Sequence, residues 1–189
     1  MIRLTILYIT LSSLAVVCIL RLFQLDKNPP GFFVDESSIA YNAFSIAKTG
    51  KDEHGVTLPV FFKAFGEYKS PLYIYSQVPL LTIFKTTVTI SRLVSALWGL
   101  LSLGALFVLS KKISQDSLVS LITTLVLATS SVHFILSRVV FEIIVYPFLV
   151  LLSLYFLERY SSSFKSKYFY LYIFFQAVSF YASTSAKVF

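Results

Sequence analysis

Residues 29–71 read PPGFFVDESSIAYNAFSIAKTGKDEHGVTLPVFFKAFGEYKSP and interrupt an otherwise apolar chain. This stretch holds five of the nine acidic residues of the protein. Only 13% of the residues of the chain are charged, whereas 57% are hydrophobic. Such a concentration of carboxylates among aromatic residues, between two long apolar regions, predicts a functional loop at a membrane surface.

The composition of the rest of the chain predicts a membrane protein. The chain has 189 residues and a mean hydropathy of +0.79, while a soluble domain carries about a quarter charged residues. Several apolar runs reach the roughly 20 residues that a helix needs to cross a bilayer. We predict an all-α, multi-spanning helical bundle over residues 1–189, with a long external loop at 24–90 that carries interfacial helices. The predicted spans are about 4–23, 91–110, 117–136, 141–157 and 168–186.

Two apolar runs leave alternatives open. Pro71–Phe84 has only 14 residues, with Pro79 inside it, which favours a re-entrant or interfacial segment over a full span. The run 4–23 could be a cleaved signal peptide. No A-x-A-like site follows it, so a retained first span is favoured. Arg21, near the far end of this run, is expected to extend its long side chain to the interface.

The net charge of +7 is better explained by membrane topology than by nucleic-acid binding. The cations lie at the ends of apolar runs and form no basic stripe among aromatic residues. Cytoplasmic short loops are rich in Lys and Arg, and the short polar loops here contain Lys111, Lys112, Arg159, Lys165 and Lys167. This pattern predicts a cytoplasmic N-terminus and an external 24–90 loop, in a plasma or inner membrane. A complete span at 71–90 would move both basic loops to the other side.

Asp35 and Glu36 begin a predicted short helix. Apolar residues recur after them at helical spacing, at Ile39, Ala43, Ile46 and Ala47, and Gly50 is a typical stop. Acids in a first helical turn often only cap the helix or complement its dipole. The functional alternative is a carboxylate beside apolar rings that acts as a general base. Spacing alone does not decide between the two.

Four further charged residues are candidates for the same site. Lys69 precedes the short Pro71–Phe84 segment, where it could anchor an apolar stretch or bind a phosphate oxygen. Arg92 is either a charge flanking a span or a functional cation. Arg138 and Glu142 lie where a span ends, and they would pair at i and i+4 if that segment were helical. Since charges at membrane depth usually face a cavity or a partner, we expect these residues to meet the 29–71 loop on one side of the membrane.

The sequence contains no common catalytic or metal motif. P-loop, GxGxxG, GxSxG and HExxH patterns are absent. Cys18, His54 and His133 are too few and too widely separated for a metal motif by themselves. No cofactor is predicted, and a divalent cation stays open without being indicated.

Four segments, taken in order, resemble the N-terminal portion of the GT-C membrane glycosyltransferases of the protein O-mannosyltransferase and aminoarabinose-transferase type. They are PPGFFVDESSIAYNAFSIAKTG, EYKSPLYIY, SRLVSALWGLLSLGALFVL and SSVHFILSRVVFE. The resemblance covers nearly the whole chain, and the Asp35-Glu36 pair after the first span is its most specific element. It implies the front part of a larger enzyme that transfers a sugar from a polyprenyl-phosphate donor, with inversion, on the outer or lumenal side. The implied acceptor is a hydroxyl group on a lipid, a glycan or a protein.

The resemblance also implies residue roles. Asp35 would be the catalytic carboxylate, with Glu36 completing the acidic pair. Lys69 matches a Lys-Pro-Pro-Leu-like segment near the donor phosphate, although Ser70 replaces the first proline. Arg138 and Glu142 occupy a turn where the family often has an arginine followed by an acid. We predict that Arg92 and Arg138 also bind the donor phosphate and that Glu142 is a supporting acid.

Two other classes of protein compete with this interpretation. In a transporter or flippase the same acids and arginines would line a path, but no internal repeat of the kind found in many transporters is evident. A non-catalytic relative of the glycosyltransferases is the third alternative.

Overall fold

The computed structural model describes residues 2–182, and most of these residues are helical. The elements, in chain order, are α1 (Ile2–Leu22), α2 (Val34–Thr49), β1 (Phe62–Ala64), β2 (Glu67–Lys69), α3 (Pro71–Ile83), α4 (Val88–Ser114), α5 (Ser117–Thr129), α6 (Ser131–Leu136), a 3₁₀ turn (Glu142–Ile144), α7 (Val145–Ser163) and α8 (Ser166–Ala182). The predicted helical class is therefore confirmed. The structure also contains two short strands, which the sequence did not predict.

Three helices are long and apolar enough to cross a membrane. They are Ile2–Leu22, Val88–Ser114 and Glu142–Ser163, the last of which joins the 3₁₀ turn to α7. The predicted spans 4–23, 91–110 and 141–157 fall on these helices. The predicted span 168–186 begins within helix α8, which has 17 residues. The predicted end of this span, at 186, lies outside the described residues. The five-span bundle stays a prediction, since residues 2–182 show three candidate spans.

The predicted span 117–136 is wrong as a single helix, because the chain breaks at Ser130. Helix α5 has 13 residues and ends at Thr129, and the six-residue helix α6 follows. The backbone N–H of Ser130 bonds back to the carbonyls of Val126 and Leu127, which closes α5.

Arg21 of α1 occupies the break between α5 and α6. Its guanidinium donates to the carbonyl oxygen of Ala128 at 2.7 Å and to Ser137 Oγ at 2.5 Å. The side chain is completely buried. The expectation that Arg21 extends to the interface is therefore wrong, since the interrupted helix offers acceptors inside the bundle.

The long helices run side by side and give the bundle two polar ends. Arg3, at the start of α1, pairs with Asp116 just before α5, next to the end of α4 at Lys111. The last turns of α7 lie beside the last turns of α4. We call this the basic end. The opposite end, which carries residues 24–90, is the loop end. The two basic loops thus share one end, as the charge pattern predicts, and their side of the cell membrane stays a prediction.

The 24–90 region folds over the loop end. Helix α2 ends at Gly50, whose φ of 69° is the left-handed conformation of a glycine stop, and this confirms the predicted helix. Helix α3 has 13 residues and contains Pro79, which confirms a short helix in place of a full span. Buried residues join these helices to the bundle, among them Ile39, Ala43, Tyr73, Ile74, Val94 and Ile144.

A small hairpin between α2 and α3 was not predicted. Strands β1 and β2 pair antiparallel, with Phe62 opposite Lys69. Phe65 and Gly66 form the turn between them, with φ values of 48° and 84°. Two positive φ values in succession are those of a type I′ turn, which matches the twist of a hairpin. The hairpin brings Lys69 back toward the start of α2.

Candidate functional site

Asp35 lies at the loop end, in the first turn of α2. Its Oδ1 accepts a hydrogen bond from Lys69 Nζ at 2.9 Å. The Asp35 side chain is 48% exposed. Phe33 and Val34, just before it, are also exposed. This carboxylate is therefore accessible from outside the protein, next to an apolar surface.

Lys69 lies at the end of β2 and is much less accessible than its partner. Its side chain is 11% exposed and also approaches Glu67, with 3.5 Å between Nζ and Oε2. Burial lowers the pKa of Lys69, but the hydrogen bond and charge of Asp35, with the charges of Glu67 and Glu142, outweigh burial and raise it above the ordinary value. Lys69 thus presents a fixed positive charge at neutral pH.

Glu36 has the opposite environment, since it is almost completely buried. Both of its oxygens accept bonds from Arg92, at 3.0 Å from Nε and 2.9 Å from Nη2. The N–H of Val140 donates to Oε1 at 2.8 Å, and the N–H of Phe33 donates to Oε2 at 3.1 Å. The bond to Phe33 is the capping interaction expected of an acid in the first turn. Glu36 therefore ties the start of α2 to α4 and to the segment before α7.

Arg92 is fully buried, and its donors are engaged by the protein. Besides Glu36, it donates through Nη1 to the carbonyls of Leu25 and Pro29 and through Nη2 to that of Gly31. A guanidinium has five N–H groups, and these bonds account for all five. A phosphate could bind Arg92 only by displacing one of them. The geometry thus supports a structural role and not the predicted phosphate site.

Arg138 has a similar structural role. Its guanidinium donates to the carbonyl oxygens of Leu20, Phe23 and Asn28, the latter two at 2.7 and 2.9 Å. The final carbonyls of a helix lack partners within the helix. Arg138 bonds to one of them in α1, that of Leu20, and to two carbonyls of the loop that follows. The predicted phosphate contact of Arg138 gains no support from this geometry.

Glu142 lies in the 3₁₀ turn, buried near Lys69. Its Oε2 accepts the backbone N–H of Ser70 at 2.6 Å. Its charge also acts on Lys69. Glu142 thus holds the residue after Lys69 against the segment before α7, which fits the predicted supporting role better than a catalytic one.

The structure brings together residues that the sequence separates. Asp35 meets Lys69, Glu36 meets Arg92, and Glu142 meets Ser70, all at the loop end. Sequence reasoning missed a second buried cluster, formed by Arg21, His133 and Ser137. The only sequence signal for it was an arginine inside the first apolar run.

Residues 2–182 contain no group of three or more His, Cys, Asp or Glu side chains placed to hold a metal ion. No protein-family model, curated protein or solved structure matches the chain. The resemblance to the GT-C glycosyltransferases therefore stays a prediction, and the functional argument rests on the geometry of the loop end.

Proposed function

We propose that this protein is a membrane glycosyltransferase that moves a sugar from a polyprenyl-phosphate donor to a hydroxyl acceptor. The observation that carries the proposal is the pair of Asp35 and Lys69. An accessible carboxylate contacts a mostly buried ammonium at 2.9 Å, at one end of a set of apolar helices. A membrane-bound phosphate donor and a water-accessible acceptor can meet only at such a boundary.

The two groups match the charges of the reaction. Lys69 Nζ binds a phosphate oxygen of the donor and in doing so releases Asp35 from their ion pair. The acceptor oxygen then attacks the anomeric carbon while the bond from that carbon to the phosphate oxygen breaks. The acceptor proton passes to the Asp35 carboxylate, which is general-base catalysis. The negative charge that develops on the leaving phosphate is stabilised by Lys69, and attack opposite the leaving group gives inversion.

An apolar groove beside α3 offers a place for the donor's lipid tail. A cavity of about 180 Å³ lies between α3 and α4, lined by residues that include Ser76, Leu97 and Trp98. Leu97 and Leu101 also line a second, apolar cavity of about 500 Å³ between α4 and α7. Helix α3 begins just after Lys69. The residues of α3 that line the groove therefore follow the proposed phosphate-binding cation in the same segment of the chain.

Glu36 and Arg92 are positioning residues in this proposal. They hold the start of α2 in place and therefore fix Asp35, but neither is accessible to a substrate. The same burial argues against the transporter alternative, because the buried charges are bonded to protein groups and do not face an open path.

The proposal is tested by replacing Asp35 in the full-length protein, reconstituted in proteoliposomes. We expect Asp35→Asn to reduce sugar transfer from a panel of radiolabelled polyprenyl-phosphate sugars at least about a hundredfold, the usual contribution of a general base. Asp26→Asn is the matched control, since Asp26 is an exposed acid of the same region, and it should transfer at the normal rate. Lys69→Ala should raise the KM for the donor more than that for the acceptor.

Unchanged transfer by the Asp35→Asn variant would remove this residue from the base role. Equal increases in the KM values for donor and acceptor in the Lys69→Ala variant would indicate that Lys69 has a purely structural role. Failure of the unaltered protein to use any donor of the panel would favour the non-catalytic alternative.

A further inference from the structure

A second candidate binding site lies at the basic end, far from Asp35. A cavity of about 510 Å³ opens between the first turns of α1 and the turn that joins α4 to α5. The distance from the loop end follows from α4, in which Arg92 lies near the start and Lys111 near the end. Lys111 follows Arg92 by 19 positions, which corresponds to roughly 28 Å of helix at 1.5 Å per residue. The cavity is therefore independent of the proposed transferase site.

The lining of this cavity combines apolar and cationic side chains. Leu4, Leu7 and Leu118 supply the apolar part, and Arg3 and Lys111 supply the charges. The helices that form the cavity include two that are long and apolar enough to cross a membrane. An amphiphile with an anionic head and an acyl chain would satisfy both parts of such a cavity.

The cations keep donors available for a ligand. The Arg3 side chain is 72% exposed although it pairs with Asp116. Lys111 Nζ donates to the carbonyl of Gln115 at 3.2 Å and to Ser117 Oγ at 2.8 Å. An ammonium has three N–H donors, so one is left after these two bonds among the described residues.

The local charge balance is positive. Asp116 is the one acid lining the cavity, against Arg3 and Lys111, and Lys112 follows in the chain. One oxygen of Asp116 also caps α5, by accepting the N–H of Leu118 at 2.8 Å. Basic pockets between membrane helices bind the head groups of anionic lipids.

We infer that this cavity binds an anionic phospholipid, with its phosphate between Arg3 and Lys111 and an acyl chain against Leu4, Leu7 and Leu118. A free phosphate shares the head-group chemistry but would leave the leucine wall uncovered, so the lipid is the ligand that the cavity fits.

The test is lipid binding by the full-length protein in a nonionic detergent, measured by native mass spectrometry. Phosphatidylglycerol and phosphatidylcholine are titrated separately, and inorganic phosphate is added as a competitor. We expect phosphatidylglycerol to bind more tightly than phosphatidylcholine. The double variant Arg3→Gln with Lys111→Gln should bind phosphatidylglycerol about thirtyfold more weakly, since each of the two cations contributes about fivefold to the affinity for an anionic lipid. The matched control is Lys165→Gln with Lys167→Gln, which removes two exposed cations from the α7–α8 turn and should leave the affinity nearly unchanged.

A third variant changes the affinity in the opposite direction. Asp116→Asn removes the acid and keeps a side chain that caps helices well, so phosphatidylglycerol should bind more tightly. If the double variant does not fold, as judged by circular dichroism, Leu7→Trp fills the cavity and should abolish binding instead. Equal binding of the two lipids, an equal loss in the control variant, or displacement of the lipid by inorganic phosphate would overturn the inference. None of these results depends on sugar transfer.

Discussion

At the scale of single residues, two adjacent acids have different environments. The Asp35 side chain is 48% exposed and that of Glu36 is 2% exposed. Each residue of a helix is rotated by about 100° from the one before it. Asp35 consequently faces outward to Lys69, while Glu36 faces Arg92 inside the protein. Of the two acids, only Asp35 is accessible from outside the protein, and Glu36 fixes the start of the helix that carries it.

This difference predicts unequal effects on stability. Glu36→Ala leaves the Arg92 charge buried without its partner, which typically costs 3–5 kcal/mol, roughly the scale seen when a buried ion pair is broken. Asp35→Ala should cost less, because the Asp35 side chain is half exposed and Lys69 keeps a second partner in Glu67. The two variants are compared by denaturant unfolding in detergent micelles. Equal destabilisation would contradict the structural role of the Glu36–Arg92 pair.

At the scale of elements, the packing of α4 against the segment after α6 depends on a glycine. A Cβ added to Gly99 of α4 would lie 2.6 Å from the Cβ of Ser137 and 3.4 Å from Nη1 of Arg21. Two carbon atoms cannot approach to 2.6 Å, so the segment after α6 would have to move. Gly99 therefore allows α4 to pack closely against Ser137, next to the buried Arg21 side chain.

Gly99→Ala should accordingly lower the free energy of unfolding by about 1–3 kcal/mol, the usual cost of overpacking. Gly104→Ala is the matched control in the same helix, since nothing lies within 4 Å of its added Cβ. Alanine there should be neutral or slightly stabilising, because glycine inside a helix costs about 0.5–1 kcal/mol. Thermal unfolding measures both. Ser137→Gly removes the clash but also an acceptor of Arg21, so the double variant with Gly99→Ala should be more stable than the sum of the two single losses predicts, and strictly additive losses would mean that the loss in Gly99→Ala has another cause.

At the scale of the whole molecule, the charges separate the two ends. The Asp35–Lys69 and Glu36–Arg92 pairs occupy the loop end, whereas Lys111, Lys112 and Arg159 lie toward the other. The positive-inside rule predicts that the basic end faces the cytoplasm. An external substrate would then have access to Asp35.

Cysteine labelling tests this orientation. Cys18 is a free cysteine and is first replaced by serine. His54→Cys and Ser162→Cys then introduce exposed thiols, one at each end. In intact cells an impermeant maleimide should label position 54 and should reach position 162 only after the membrane is permeabilised. Labelling in the reverse order would overturn the predicted orientation.

The sequence by itself determined the local features of this protein. Apolar runs of sufficient length predicted spans at 4–23, 91–110 and 141–157, which fall on the three long apolar helices. The spacing from Ile39 to Gly50 predicted α2. These predictions succeed because helix formation and membrane crossing depend on neighbouring residues, whose hydropathy and spacing are visible in the chain.

Only the tertiary structure decided which charges meet. Nothing near Asp35 in the sequence distinguishes it from Glu36, because their partners Lys69 and Arg92 are 34 and 56 residues away. The break at Ser130 was hidden for the same reason, since the residue that supports it, Arg21, comes from another helix. Burial and ion pairing depend on contacts between distant segments, and such contacts leave no local pattern.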